Sequence, residues 1–259
     1  MKFLRALLLL AFAVLPAHAQ TAEEKGLAIA IETDRRDDGF IDWTALATMT
    51  LRDRSGGETV RRFRMLAQEQ KDDGDRTLAV FDTPADLEGT AVLTWSHALK
   101  PDDQWLYLPS LKRTKRIASR NKAAAFIGSE FAFEDLSAWE VKKYRYRWLR
   151  DEKLEGVDCF VVENTPNYAE SGYSRQVEWV DKALYQPRRI DYYNLDGVLM
   201  KTMTFGGYKQ YLGKHWRPGE QLVENHLTGK STRLTWHDWR FKTGLKKVDF
   251  TPEAMDRQR

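Results

Sequence analysis

Two pairs of adjacent carboxylates are the first candidates for chemistry: Asp102-Asp103 and Glu134-Asp135. Paired carboxylates facing a cleft can act as acid and base in glycoside cleavage. Here each pair is contiguous and flanked by loop signals. Glu134-Asp135 reads instead as the acidic opening of a short helix, FEDLSAWE, where negative charge meets the positive end of the helix dipole. His97, His215, His226 and His237 form no H-E-x-x-H, and no two have the close spacing of metal ligands. His237 and Asp238 are neighbours on an expected strand and so point to opposite faces. Each histidine reads as a satisfied surface or edge residue. There is no G-x-S-x-G elbow and no glycine-rich phosphate loop. Cys159 is the single cysteine. It lies in GVDCFVVEN, where it reads as a small buried apolar side chain. These residues point to no catalytic centre, no metal site and no cofactor, and the expectation is a protein that is not an enzyme.

The elements that would position such residues are mostly strands. After a short helical segment, AEEKGLAIAIETDRRDDGF, with an apolar stripe of Leu27, Ile31 and Ile29, the period changes to two. WTALATMTLRD places Trp43, Ala45, Ala47, Met49 and Leu51 on one face. TVRRFRML sets Phe63 and Met65 opposite Arg62 and Arg64. Strand candidates then recur to STRLTWHDWRF, with turn signals roughly every 8 to 12 residues, as in an all-β sandwich or barrel. Gly-Gly, Asp-Gly and Ser-Gly pairs favour antiparallel meanders. No parallel βαβ unit and no internal repeat is visible.

The first nineteen residues, MKFLRALLLLAFAVLPAHA, have the basic start, apolar run and A-x-A site of a secretory signal peptide. The apolar run is shorter than the ~20 residues of a membrane span. The expected organisation is a leader at 1–19 and one domain at 20–259, exported and without a lipid anchor. The chain carries 41 Lys and Arg against 38 Asp and Glu. That balance argues against nucleic-acid binding, which brings a strong basic excess.

One stretch breaks the balance. YLPSLKRTKRIASRNKAAAFIGSEFAFEDL (107–136) runs from basic, through a small apolar plug, to acidic. With FDTPADLEGTAVLTW (81–95) and GYSRQVEWVDKALYQPRRIDYYNLDGVLMKTM (172–203), it resembles the signature blocks of the outer-membrane lipoprotein-sorting protein family, similar in fold to the periplasmic LolA/LolB lipoprotein carriers. The resemblance extends over roughly residues 40–250. It implies a mainly β fold with a few helices, in which a curved antiparallel sheet forms a half-open, incomplete β-barrel covered by helices. It also implies a periplasmic location, a cavity for lipid or lipoprotein acyl chains, and work beside inner-membrane transporters of the RND/MMPL type. The family pattern contains no catalytic residues to carry over.

On that basis the expected cavity lining is Met49, Leu51, Phe63, Met65, Leu93, Trp95 and Met200, with Phe126 and Ile127 from the plug. Met203 differs from Met200 in parity, so a regular strand cannot turn both inward. Lys112, Arg113, Lys115, Arg116 and Arg120 are expected on a charged edge strand that discourages pairing with other sheets and docks a partner or touches a membrane surface. The leading reading is a carrier of lipid or lipoprotein. The alternatives are a non-carrying accessory subunit of an envelope transporter complex and an enzyme acting on envelope lipid or glycan.

Overall fold

The computed structural model describes residues 20–71, 73–118 and 121–257. The expected leader, residues 1–19, and Arg120 lie outside the described residues. Helix α1 (Ala22–Asp37) starts at a reciprocal cap. The Glu24 backbone N–H donates to Thr21 Oγ1 at 3.1 Å, and the Thr21 N–H donates to the Glu24 carboxylate at 2.9 Å. Glu23 and Glu24 at its start and Arg35 and Arg36 at its end suit the helix dipole.

Fifteen strands follow. The first six are β1 (Asp42–Arg52), β2 (Glu58–Gln68), β3 (Arg76–Thr83), β4 (Ala91–Trp95), β5 (Asp103–Leu108) and β6 (Arg113–Ile117). Next come β7 (Tyr144–Leu154), β8 (Val157–Pro166), β9 (Arg175–Asp181), β10 (Pro187–Tyr193) and β11 (Leu199–Gly206). A two-stranded ribbon, β12 (Lys209–Tyr211) with β13 (His215–Arg217), precedes β14 (Glu220–Asn225) and β15 (Ser231–Phe241). Thirteen strands form one sheet in the order β6-β5-β4-β3-β2-β1-β15-β14-β11-β10-β9-β8-β7. Its pairings are all antiparallel. The sheet is curved and unclosed. The chain starts mid-sheet, walks to the β6 edge, crosses to the β7 edge and walks back.

The described part of the crossing, residues 121–143, is a strap over the inner face. Short 3-10 turns stiffen it, among them Phe126–Gly128, Phe133–Leu136 and Val141–Lys143. Phe126 and Phe133 pack ring to ring at 5.4 Å, and Phe126 meets Phe81 at 6.0 Å. With Phe131 they join Met49, Phe63 and Met203 in the main core. The outer face is covered elsewhere by the C-terminal turns, where Phe250 and Met255 pack on Leu78, Val80 and Leu93.

Two features depart from simple periodicity. The register of β10 on β11 shifts beside Met200, so Met200 and Met203 both pack against the inner cluster despite their parity. A second bulge, with Asp238 at φ 51°, does the same for Trp236 and Trp239. Helix α1 also differs from the expected stripe. Leu27 and Ile31 are exposed, and Gly26, Ile29 and Ala30 are buried. The helix lies so close to β7 that a Cβ on Gly26 would stand 2.8 Å from the Trp148 backbone nitrogen. Small residues therefore set the contact face, and the larger Leu27 and Ile31 are turned away.

This close approach gives a test with an unusual sign. Ala has a better helix propensity than Gly by about 1 kcal/mol. Gly26→Ala should nevertheless destabilise the protein, by about 1–2 kcal/mol, because backbone must move to admit the methyl group. Urea unfolding measures it, and an increase in stability would mean that α1 is not seated tightly on β7.

Candidate functional site

The strap's phenylalanines fill one half of the inner face and leave the other half hollow. Beneath α1 and the end of the strap lies a cavity of about 640 Å³. Its apolar wall includes Ile29 from α1, Trp43 and Met65 from β1 and β2, Trp139 from the strap, Ile190 from β10 and Trp239 from β15. Apolar walls with a few placed polar groups are the usual make-up of a small-ligand site.

The polar groups are mainly acidic. Nine Asp and Glu line the cavity against three Lys and Arg, so its field is negative. Glu178 on β9 pairs in register with Val162 on β8 and Ile190 on β10 and is half-buried between them. Asn164 Nδ2 donates to Glu178 Oε2 at 2.9 Å. Burial raises the Glu178 carboxyl to about 7, and the Asn164 hydrogen bond offsets this only in part. Asp75 is likewise raised to about 7 by burial, against the pull of the Gln70 backbone N–H. Glu140 reaches about 7 through burial, with the Asp34 charge adding to the rise and Lys143 opposing it. At the rim, Arg217 forms a bidentate pair with Asp37, at 2.5 and 3.1 Å.

Buried ions tie the strap down on both sides of the cavity. Asp102 lies between Lys122 (2.7 Å) and Lys143 (2.5 Å), all three buried. Burial alone would raise the Asp102 carboxyl, but the two ammonium groups more than offset it and hold it below its ordinary value. Asp135 pairs with Lys201 on β11 at 2.5 Å and accepts from the Tyr173 hydroxyl at 2.7 Å. Glu134 accepts from the Gly172 N–H, Tyr168 and Ser171. Both carboxylate pairs thus have anchoring partners, and Lys122, in the basic part of residues 107–136, is an interior residue.

The sequence-predicted lining residues divide three ways. Met49, Phe63, Met65 and Phe126 are buried in the inner cluster, with Leu51, Ile127 and Met200 packed at its margin. Of the nine, Met65 alone reaches the cavity. Leu93 and Trp95 are corrected: they lie in the separate cluster under the C-terminal turns, where the Trp95 indole donates to the Phe250 carbonyl at 2.8 Å. Their face of β4 is occupied by the chain's own end. Lys112, Arg113, Lys115 and Arg116 are exposed on or beside the edge strand β6, and Arg116 pairs with Asp103. His97 and His215 are buried, not superficial. His97 is held between Asp73 and Asp103, which gives its ring nitrogens partners inside the fold. Sequence reasoning missed Asn164 and Glu178. Their signal was a polar residue at inward parity in each of two neighbouring strands.

A single curved, unclosed antiparallel sheet with a helix and strap over one face defines the LolA-like class of open barrels. Solved structures agree. An outer membrane lipoprotein-sorting protein domain from Vibrio parahaemolyticus is 49% identical, with a TM-score of 0.89 over 91% of this chain and 100% of its own. A DUF1329 family protein from Desulfovibrio piger is 31% identical, with a TM-score of 0.86 over 91% of this chain and 99% of its own. A LolA superfamily protein from Nitrosomonas europaea shares the fold at 21% identity, with a TM-score of 0.71 over 90% of this chain and 98% of its own. A family model described as an uncharacterized protein matches residues 73–257. No curated protein matches. The chain belongs to the outer-membrane lipoprotein-sorting protein family.

The raised carboxyls fix a pH dependence. A carboxyl with a raised folded pKa contributes most below its unfolded value and loses that contribution as pH rises through the folded value. Glu178, Asp75 and Glu140 all lose theirs on the way past about 7. His215 opposes them: burial holds it below its ordinary value, so its contribution falls as pH drops. Three carboxyls outweigh one imidazole. The ligand-free protein should therefore melt a few degrees higher at about pH 5.5 than at about pH 8, read by scanning fluorimetry. A higher melting temperature at the alkaline end would contradict the burial of these groups.

Proposed function

We propose that the protein is a non-enzymatic periplasmic carrier or chaperone. In this reading it shields the apolar part of a lipid, or an acyl chain of a lipoprotein, beside an inner-membrane transporter of the RND/MMPL type. The observation that carries the reading is the apolar-walled cavity of about 640 Å³ beneath helix and strap. Each methylene moved from water into such a space contributes about 0.8 kcal/mol, so ten of them contribute about 8 kcal/mol before the costs of ordering. The volume falls within the range for one small ligand, roughly 300–1,000 Å³. A single chain fits this space better than several. The sorting function in the name of the Vibrio relative supports the same reading. The sequence of residues 1–19 supports export. Among the described residues no helix is long and apolar enough to cross a membrane.

Lys112, Arg113, Lys115, Arg116 and Arg120 are proposed to dock the partner. β6 presents its basic side chains at a sheet edge, where charge also discourages pairing with foreign strands. Arg116 is tied to Asp103, so Arg113 and Lys115 are the cleaner probes.

Native mass spectrometry of protein purified from the periplasm without detergent should show an adduct of one lipid or acyl chain per protein, identified after organic extraction. A uniformly bare mass, with no uptake of added lipid, would rule out carriage. Separately, Arg113→Glu combined with Lys115→Glu should weaken co-purification of the transporter about tenfold while the melting temperature stays put. Undiminished co-purification would remove β6 from the docking surface.

A further inference from the structure

The carrier reading leaves the cargo's head group open, and two acceptors on the cavity wall constrain it. Asn164 is fully buried, 0% exposed. Its Nδ2 is spent on Glu178, and its Oδ1 has no partner. Glu178 takes that single hydrogen bond, and no Lys or Arg among the described residues forms an ion pair with it. Asp42 and Glu134, also without cations among the described residues, each accept three hydrogen bonds, and four other carboxylates inside the fold have cations. Asp102 has two lysines, Asp135 has Lys201, Asp181 has Arg188 and Asp191 has Arg189. Glu178 stands between Val162 and Ile190 without a cation, on the wall of a space large enough for a ligand.

We propose that the cavity takes a single-chain amphiphile with a cationic amine head, its ammonium seated against Glu178 and Asn164 Oδ1 and its chain along the aromatic wall. The proposal rests on the carrier reading and names the head-group class of the same site. An ammonium group brings three donors and one positive charge, which suits two acceptors of which one is acidic. The rings of Tyr146 and Trp139 line the same space and offer π faces to a cation. A hydroxyl head would satisfy an acceptor but leave the Glu178 charge uncompensated. A carboxylate or phosphate head would meet like charge from Glu178 and from the surplus of acidic residues around it.

Three probes of equal chain length separate these cases: dodecylamine, dodecanol and dodecanoate. Each is titrated below its micelle concentration into the mature protein after removal of bound lipid, by calorimetry. Dodecylamine should bind about tenfold more tightly than dodecanol, and dodecanoate most weakly. Glu178→Gln should abolish the amine preference while dodecanol affinity holds. Asn164→Leu, checked by near-UV circular dichroism, should reduce it without inverting the order. Glu253→Gln, the same charge change on the exposed C-terminal turn, should leave the preference in place and so separate a local effect from overall charge. If dodecanol binds as well as dodecylamine, or the amine preference survives Glu178→Gln, the head-group inference is overturned while carriage stands. If none of the three binds, both fall together.

Discussion

The structure turns on one topological constraint. β6 and β7 are consecutive in the chain and lie at opposite edges of a thirteen-stranded sheet. The chain between them must therefore cross the inner face. That crossing covers the sheet without a layer of helices, but it carries irregular backbone into an apolar interior, where unpaired polar groups are costly. The chain meets this cost with ions. Lys122 reaches Asp102 near one side, and Asp135 reaches Lys201 on the other. Glu130 accepts from Asn225 and, through its N–H, donates to Thr232 on β15. Removing one partner of such a pair would leave the other buried and unpaired, the expensive case for ions in low dielectric.

The same strap decides where the hollow lies. Phe126, Phe131 and Phe133 fill the space over β1 to β4 and β11. Beyond Leu136 the strap lifts into the wall of the cavity, with Trp139 stacked flat on Tyr144 at 4.2 Å. Helix α1 meets the other margin through Gly26 and Ala30, and its position against β7 also shields that sheet edge. Packing thus divides one inner face into a solid half and an open half, and Glu178, Asp75 and Glu140, whose carboxyls are raised to about 7, belong to the open half.

Much of this was legible in the chain. Period-two alternation in WTALATMTLRD and TVRRFRML gave the inner faces of β1 and β2 correctly, because one side of each is apolar and the other charged or hydroxylated. The charged edge at β6 was legible for the same reason. The face of β4 was not. AVLTW is apolar on both sides, and a strand buried on both faces leaves parity without a sign. Leu93 and Trp95 were lost there. β8 and β9 posed a similar problem: Val161 and Val177 face one way, Val162 and Val180 the other, and the polar pair Asn164 and Glu178 stands on the inner side. The bulges beside Met200 and Asp238 were invisible because they arise from register with a partner strand. The small-residue face of α1 was hidden by the greater apolarity of Leu27 and Ile31.

The seam at the middle of the sheet has a kinetic consequence. β1 pairs with β2 on one side and with β15 on the other, so residues 42–52 await residues 231–241. No other pairing in the sheet joins strands so far apart in sequence, and closing that loop costs the most chain entropy. Until β15 arrives, β1 is an edge: a central strand with an open ladder of backbone groups and Trp43, Ala45, Ala47 and Met49 along one face. Its half of the sheet can zip locally toward β6, and the other half toward β7. The two half-sheets then meet at the line between β1 and β15. A strand central to the native sheet is in this way an exposed edge during assembly.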